Sequence, residues 1–347
     1  MENYCENLLN KILENPADEK NYLELSNIYI SQKDYHSALD VYKKLLVVSP
    51  LNVEALINAG SLSYYLGEYD SAINFYYRAT EIEEDNFYIY FNLANAYCEI
   101  KKYDKALEYY KKSFELNIDN YLVYNAIGLM YQDMDDMVQS KIFYQKAINL
   151  QPENPEGYMN IAGVFMKTDC FEQALNNYKK AFELDFNNPQ VSLCIANAYS
   201  SLKDFDNADE YFKIAENISP LNSKGYICKG LSYSDRGDNQ KAIECYKKAS
   251  ELEPENPNSY ILAGNVYNSE KDYDNALRCY QKADEIKPNV PSIMILSANI
   301  DAVKGDLKSA INIYRKAVSL SNDNGELKLI YYDMVKDFIL KKDSENV

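Results

Sequence analysis

Tryptophan is absent from this chain, histidine occurs once, and no stretch is apolar for the roughly 18 residues that a membrane-spanning helix needs. The single histidine, His36, has no second histidine and no Cys/His cluster to complete a zinc ligand set. It also leaves no Ser-His-Asp or Cys-His arrangement for nucleophilic catalysis. Its place beside Tyr35, on an exposed turn at the start of a helical stretch, reads as a solvated side chain. The seven cysteines form no CxxC pair. Cys194/Cys228 and Cys245/Cys279 stand 34 residues apart, and turn out below to occupy equivalent points of neighbouring repeats. Helix packing would hold such points about 10 Å apart, beyond the ~7 Å Cα separation of a disulfide. Free thiols in a reducing compartment are expected. There is no GxGxxG, no GxxxxGK[ST] and no DxDxDG calcium loop; acidic clusters such as 81–85 and 251–255 read as solvated turns. Basic excess is missing too. A net charge of −17 opposes binding to nucleic-acid phosphates and to anionic membranes. The opening MENYCENLLNKILENP has no basic n-region before an apolar run, so no secretory signal is expected. Neither enzyme chemistry, nor a metal, nor a cofactor finds its residues here.

What the chain has is a period. Counting phase positions 1 to 34 from Glu19, nine units run to Asn324 without insertion or deletion. Their bounds are 19–52, 53–86, 87–120, 121–154, 155–188, 189–222, 223–256, 257–290 and 291–324. Position 20 is Ala in every unit but one, where it is Ser140, and position 24 is Tyr in every unit but one, where it is Phe212. Position 8 is always Gly, Ala or Ser. Position 27 is Ala except for Leu45 and Ser113, and Pro50, Pro152, Pro220, Pro254 and Pro288 stand at position 32. Each unit therefore reads as two amphipathic helices. Small residues at 8, 20 and 27 let the two backbones approach, and large ones at 4, 7, 11 and 24 fill the space to the next pair. Asp at position 16 (Asp34, Asp136, Asp204, Asp238, Asp272, Asp306) is placed to cap the second helix. Gly67, Gly237 and Gly305 at position 15 suit a left-handed end to the first. Lys229 and Ser297 at the usually apolar position 7, and Ser63 and Asp301 at position 11, predict looser packing in units seven and nine. Residues 1–18 read as an N-terminal capping helix. Residues 325–347 read as a C-terminal capping helix, with Leu327, Ile330, Tyr331, Met334 and Phe338 on one face, and a short frayed tail.

This pattern resembles the tetratricopeptide repeat. The resemblance implies an all-α fold, a right-handed α–α superhelical solenoid of helix hairpins whose first helices line a concave groove. It implies a non-catalytic scaffold or adaptor in the cytoplasm, binding a peptide segment or partner proteins in that groove. The alternative is an accessory subunit of a larger enzyme or of a secretion or assembly complex, docked through the convex face or the ends. RNA binding by helical repeats is disfavoured by the strict period and the acidic charge.

Groove candidates lie at first-helix positions that point away from the packed face. Asn58, Asn92 and Asn160 hold position 6; Asn27, Asn95, Asn197, Asn265 and Asn299 hold position 9. An Asn side chain offers both donors and an acceptor, so a row of them could hydrogen-bond the main chain of an extended peptide. The row is similar to the asparagine ladder in the repeat region of O-GlcNAc transferases, although no transferase domain accompanies it. Composition is the competing explanation, since the chain is Asn-rich throughout. Tyr64, Tyr65, Tyr88 and Phe91 suggest an aromatic patch in the groove near units two and three. The carboxylate clamp by which related co-chaperones grip an acidic tail is absent in that form, its basic sites being Leu23, Tyr88 and Asn92 in units one to three. A basic row at position 26 (Lys44, Arg78, Lys112, Lys146, Lys180, Lys248, Lys282, Lys316) reads as late-helix cations, three of them four residues after an acid (Asp40/Lys44, Glu108/Lys112, Glu244/Lys248), with a phosphate stripe as the alternative.

Overall fold

A computed structural model describes residues 2–117, 120–321, 328–333 and 335–336. Among them are nineteen α-helices of 12 to 14 residues with short turns between, and residues 328–333 and 335–336 are helical too; the chain divides into two compact units, 1–169 and 170–347. The first unit holds α1 (Glu2–Glu14), α2 (Glu19–Ser31), α3 (Tyr35–Val48), α4 (Val53–Tyr65), α5 (Tyr69–Thr80), α6 (Phe87–Glu99), α7 (Tyr103–Leu116), α8 (Tyr121–Asp133), α9 (Met137–Leu150) and α10 (Pro155–Lys167). The second holds α11 (Phe171–Leu184), α12 (Pro189–Ser201), α13 (Phe205–Ile218), α14 (Ser223–Asp235), α15 (Asn239–Leu252), α16 (Pro257–Ser269), α17 (Tyr273–Ile286), α18 (Pro291–Val303) and α19 (Leu307–Leu320). Within each unit consecutive helices pack as hairpins, hairpin against hairpin, and the fold class is the all-α repeat that the period predicts. Among the described residues no helix is long and apolar enough to cross a membrane.

Capping fixes where helices begin. All six position-16 aspartates accept a hydrogen bond from the amide three residues on, as in Asp34 with Ser37 and Asp136 with Gln139. A second row of caps was not expected. Asp18, Asn52, Asn86, Asn120, Asn154, Asn188, Asn222 and Asn256, themselves 34 apart, cap the first helix of each hairpin up to α16. Part of the chain's asparagine content is therefore helix-start chemistry. Pro155, Pro189, Pro257 and Pro291 follow at the first helical position, where no amide hydrogen is needed.

In eight hairpins the turn is closed by a bond from the position-16 amide to the position-11 carbonyl, for example Asp34 to Tyr29 and Glu68 to Ser63. Position 15 lies in the left-handed region in all nine units, and in those eight the closure puts it there. Three of the nine residues are glycines; Lys33, Lys101, Asp135, Asp169, Lys203 and Lys271 take φ of 54° to 62° there. Glycine was the expected occupant, yet the closing bond imposes the conformation on L residues at a cost of about 1 kcal/mol each.

The small positions are fully enclosed: Ala38, Ala72, Ala106, Ala174 and their equivalents are 0% exposed. The position-24 rings lie against them. At Gly60, Gly128, Gly230 and Gly264 the approach is closest, a Cβ there falling 2.5 to 2.7 Å from the ring of Tyr76, Tyr144, Tyr246 or Tyr280. The two departures at position 7 have different outcomes. Lys229 sends its ammonium to Glu216 at 2.7 Å and so fills its place with an ion pair. Ser297 with Asp301 lines a cavity of about 450 Å³.

At the N-terminal end Leu8 of α1 is fully buried, and the Tyr4 hydroxyl donates to Glu24 at 2.6 Å. At the other end Tyr331 packs on Met294, Ala298, Tyr314 and Ala317, whereas Ile330 and Tyr332 are exposed. Leu327, Met334, Phe338 and the tail lie outside the described residues.

Candidate functional site

The buried tyrosines of position 24 organise the first-helix face. Each is a second-helix residue whose ring enters the core and whose hydroxyl emerges beside the first helix, where a buried O–H needs a partner. Position 9, fifteen residues earlier, supplies it in several hairpins. Tyr110 donates to Asn95 Oδ1 at 2.6 Å and Tyr280 to Asn265 Oδ1 at 2.9 Å; Tyr314 donates to Asn299 Oδ1. Ser61 takes the same place for Tyr76 at 3.0 Å. Elsewhere position 12 serves, as Gln132 for Tyr144 at 3.3 Å. At position 6 of the next hairpin, half-buried Asn58 and Cys194 stand near the Tyr42 and Tyr178 hydroxyls.

The eight asparagines therefore divide. Asn95, Asn265 and Asn299 carry a structural duty, which corrects the expectation that position 9 points away from the packed face. Its reason is tertiary: the hydroxyl that needs it belongs to the other helix of the hairpin. Asn197 is exposed and precedes Phe212, a ring with no hydroxyl to serve. Asn27 is exposed, and Asn92 and Asn160 are half-buried. For the tyrosine-bound asparagines the carbonyl is occupied, so the amide N–H pair is what remains for a ligand.

A substitution pair reports on this division. Asn95→Ala leaves the buried Tyr110 hydroxyl only the weak Cys98 sulfur contact at 3.6 Å and is expected to cost about 1 kcal/mol. Asn92→Ala is expected to be neutral within about 0.5 kcal/mol. Adding Tyr110→Phe to Asn95→Ala should restore most of the loss, since unit six already tolerates Phe212. Chemical unfolding of the four chains checks it.

The aromatic candidates do not form one patch. Tyr65, 68% exposed, meets Tyr35 edge-on at 4.6 Å between ring centroids. Tyr64 is half-buried against Tyr69 and donates to Glu99 at 2.8 Å, tying α4 to α6; burial, then Glu99, pushes its hydroxyl pKa up. Tyr88 is 62% exposed and edge-on to Phe87. Phe91 is half-buried, stacked on Phe87 at 5.7 Å and tilted to Tyr110 at 6.1 Å, so it too serves packing. Tyr65 and Tyr88 are the two aromatic side chains of the set with most surface to offer.

The basic row has partners that the sequence reading missed. Lys112 lies over Tyr90 and Tyr109, Lys146 over Tyr124 and Phe143, and Lys248 over Tyr226. Those rings occupy positions 4 and 23, so the row caps a column of aromatic stacks by cation–π attraction. The signal was present as recurrent Tyr or Phe at position 23. Of the expected helical acid pairs, Glu108 stands 3.9 Å from Lys112.

The thiols are free, and burial raises the pKa of five of them, Cys98 and Cys245 to about 11. Among the described residues no group of three His, Cys, Asp or Glu side chains is placed to hold a metal ion.

Comparison with known proteins bears on the repeat. Tetratricopeptide-repeat profiles match residues 19–50, 87–120, 121–154, 195–220, 257–290 and 298–324, and a further TPR-repeat profile matches 60–101 and 230–267. Among curated proteins none matches. Yeast Tom70 shares 16% identity, with 96% of this chain and 91% of Tom70 covered, at a TM-score of 0.60. A chain of the APC/C hetero-tetramer Cut9–Hcn1 shares 13% identity over 91% of this chain and 76% of its own, at 0.54. PilF of Pseudomonas aeruginosa shares 18% over 63% and 96%, at 0.50. At these identities the likeness is one of fold.

Proposed function

Since the chain belongs to the tetratricopeptide repeat family, we propose that it is a non-catalytic protein-interaction scaffold that holds an extended polypeptide segment along its first-helix face. The observation that carries this reading is the orientation of the asparagines. Tyrosine hydroxyls occupy the Asn95, Asn265 and Asn299 carbonyls, so a recurrent row of amide N–H donors is left for main-chain carbonyls of a ligand. Such contacts read backbone, and Tyr65 and Tyr88 add aromatic anchor surface beside them. Assembly of a chain of this fold with another protein is illustrated by the Cut9–Hcn1 hetero-tetramer. Against catalysis stands the chemistry of Cys98, Cys194, Cys228, Cys245 and Cys279, whose raised pKa values keep them protonated and poorly nucleophilic. Seven free cysteines suit a cytoplasmic location. The acidic charge disfavours nucleic acid and membrane surfaces as partners.

A second reading has its own observation. Leu13, Val47 and Leu51 are 77%, 81% and 72% exposed, and a hollow of about 550 Å³ opens between α1, α2 and α3. An accessory subunit docked by its N-terminal end would cover this apolar surface.

One experiment separates the two. Linear peptides selected from a random library on the intact chain are measured against Asn95→Asp/Asn265→Asp/Asn299→Asp, which keeps an oxygen for each tyrosine hydroxyl and removes the amide N–H pair, and against Leu13→Asp/Val47→Asp. Loss of three hydrogen bonds should weaken peptide binding about tenfold or more with the melting temperature unchanged. Binding that survives the asparagine changes and disappears with the leucine and valine changes favours the end-docked subunit.

A further inference from the structure

The cavity in unit nine has a counterpart in unit seven that shows what chemistry it lacks. In unit seven the space between α13, α14 and α15 is closed by Lys229, whose ammonium contacts Glu216 Oε1 at 2.7 Å; the two side chains are 18% and 35% exposed. Glu216 stands at position 28 of its unit and Lys229 at position 7 of the next. At the same two positions between α17 and α18 stand Asp284 and Ser297. The carboxylate is kept and the cation is gone. Asp284 Oδ1 is shielded from solvent and has no hydrogen-bond partner, the state that costs most for a carboxylate oxygen. Position 11, an aromatic residue in seven units, is Asp301, which accepts from Ser309 Oγ at 2.6 Å and leaves the ring's volume empty. The result is a cavity of about 450 Å³ lined by both aspartates, with Met294 and Ile313 on its apolar walls.

Lys316 is the one cation on the lining. Its equivalents Lys112, Lys146 and Lys248 rest on rings at positions 4 and 23, which in unit nine are Met294 and Ile313. It forms no ion pair among the described residues, and the lining keeps two carboxylates against one ammonium. From the missing cation, the unpaired buried oxygen and the vacant volume, we infer that this cavity binds an alkylammonium group. The group is supplied by a lysine side chain of a partner protein or by a free small amine. The carboxylates receive the ammonium, and the apolar walls take the methylene stem, as unit seven does with its own Lys229. The excess of negative charge over the chain favours arrival of such a cation.

Met294 lines the cavity, so its methyl group reports occupancy locally and is insensitive to cations gathered elsewhere on an acidic surface. The test is a methyl-methionine NMR titration of the full chain, with the Met294 signal assigned through Met294→Leu. Three probes are used: Nα-acetyl-lysine methylamide, butylamine and the Nε-acetylated lysine derivative. Both amines should move the Met294 signal to saturation and the neutral derivative should not. Tighter binding of the lysine derivative points to a partner's lysine; equal binding points to a free amine. Ser297→Lys places the ammonium in cis, and should abolish the response while raising the midpoint of thermal unfolding by about 2–4 °C. Asp284→Asn, which preserves volume, should weaken amine binding more than about tenfold. An equal shift by the neutral derivative overturns the inference. So does a Met294 signal that no amine moves, or one that responds in Ser297→Lys as it does in the unaltered chain.

Discussion

Alkaline titration should unfold this chain cooperatively as the pH climbs past about 10, the ordinary value for tyrosine. The cause is burial of phenolic hydroxyls. Tyr109 and Tyr280 are pushed up to about 12, chiefly by burial, and Tyr110, Tyr144, Tyr178 and Tyr246 are raised for the same reason. A raised folded-state pKa means that the native chain holds these protons more tightly than the unfolded chain. Their contribution to stability is fully present below pH 10 and is lost as the pH rises through the folded values. Cys98 and Cys245, raised to about 11 from an ordinary 9, act in the same direction and begin sooner. Because one such tyrosine recurs in nearly every hairpin, the losses add along the array. Solvent-facing tyrosines ionise without unfolding the chain, so the later part of the rise in tyrosinate absorbance should coincide with the loss of helical circular dichroism, above pH 10. Ionisation of the full complement of tyrosines near pH 10 while the helices persist would show that the position-24 hydroxyls are not enclosed.

Gly264→Val should cost about 3 kcal/mol, the upper end of overpacking losses. A Cβ at this position would meet the Tyr280 ring at 2.5 Å, and that ring is fully buried and held by Asn265. The contact is with the rigid body of a side chain, so neither partner yields without separating α16 from α17. Gly264→Ala should cost less, because alanine recovers about 1 kcal/mol of helix propensity and other units carry alanine at this position. Amide hydrogen exchange is the suitable measurement, since opening in a repeat array is local. Faster exchange confined to α16, α17 and their neighbours is expected. Unchanged protection there would mean that the close approach carries no constraint.

Much of this architecture is legible in the sequence because one hairpin's requirements are stated nine times over. Ala106 and Tyr110 are recognisable as packing residues since their equivalents recur, and Asp136 as a cap since its distance from the following helix is local. The exceptions share a cause. Asn95 looked free because its partner, Tyr110, lies on the other helix, and only the hairpin brings the two together. Lys101 gave no sign of a left-handed conformation, because a backbone bond between Lys102 and Tyr97 imposes it and the side chain has no say. Lys112 was matched to Glu108 along its own helix, while Tyr90, one of the two rings beneath it, comes from a different one. Asn86 and Asn120 were absorbed into a general impression of asparagine richness, although they stand at a fixed phase and start α6 and α8. Local chemistry was readable, and chemistry between helices was not.

The first-helix face as the seat of binding can be tested by position. A photoreactive benzoylphenylalanine placed at Tyr88 lies on that face, and one placed at Glu108 lies among the lysines and rings of the other. With a selected linear peptide bound, irradiation and mass spectrometry of the product should show cross-links from position 88 and none from position 108. Cross-links from position 108 alone would contradict the account.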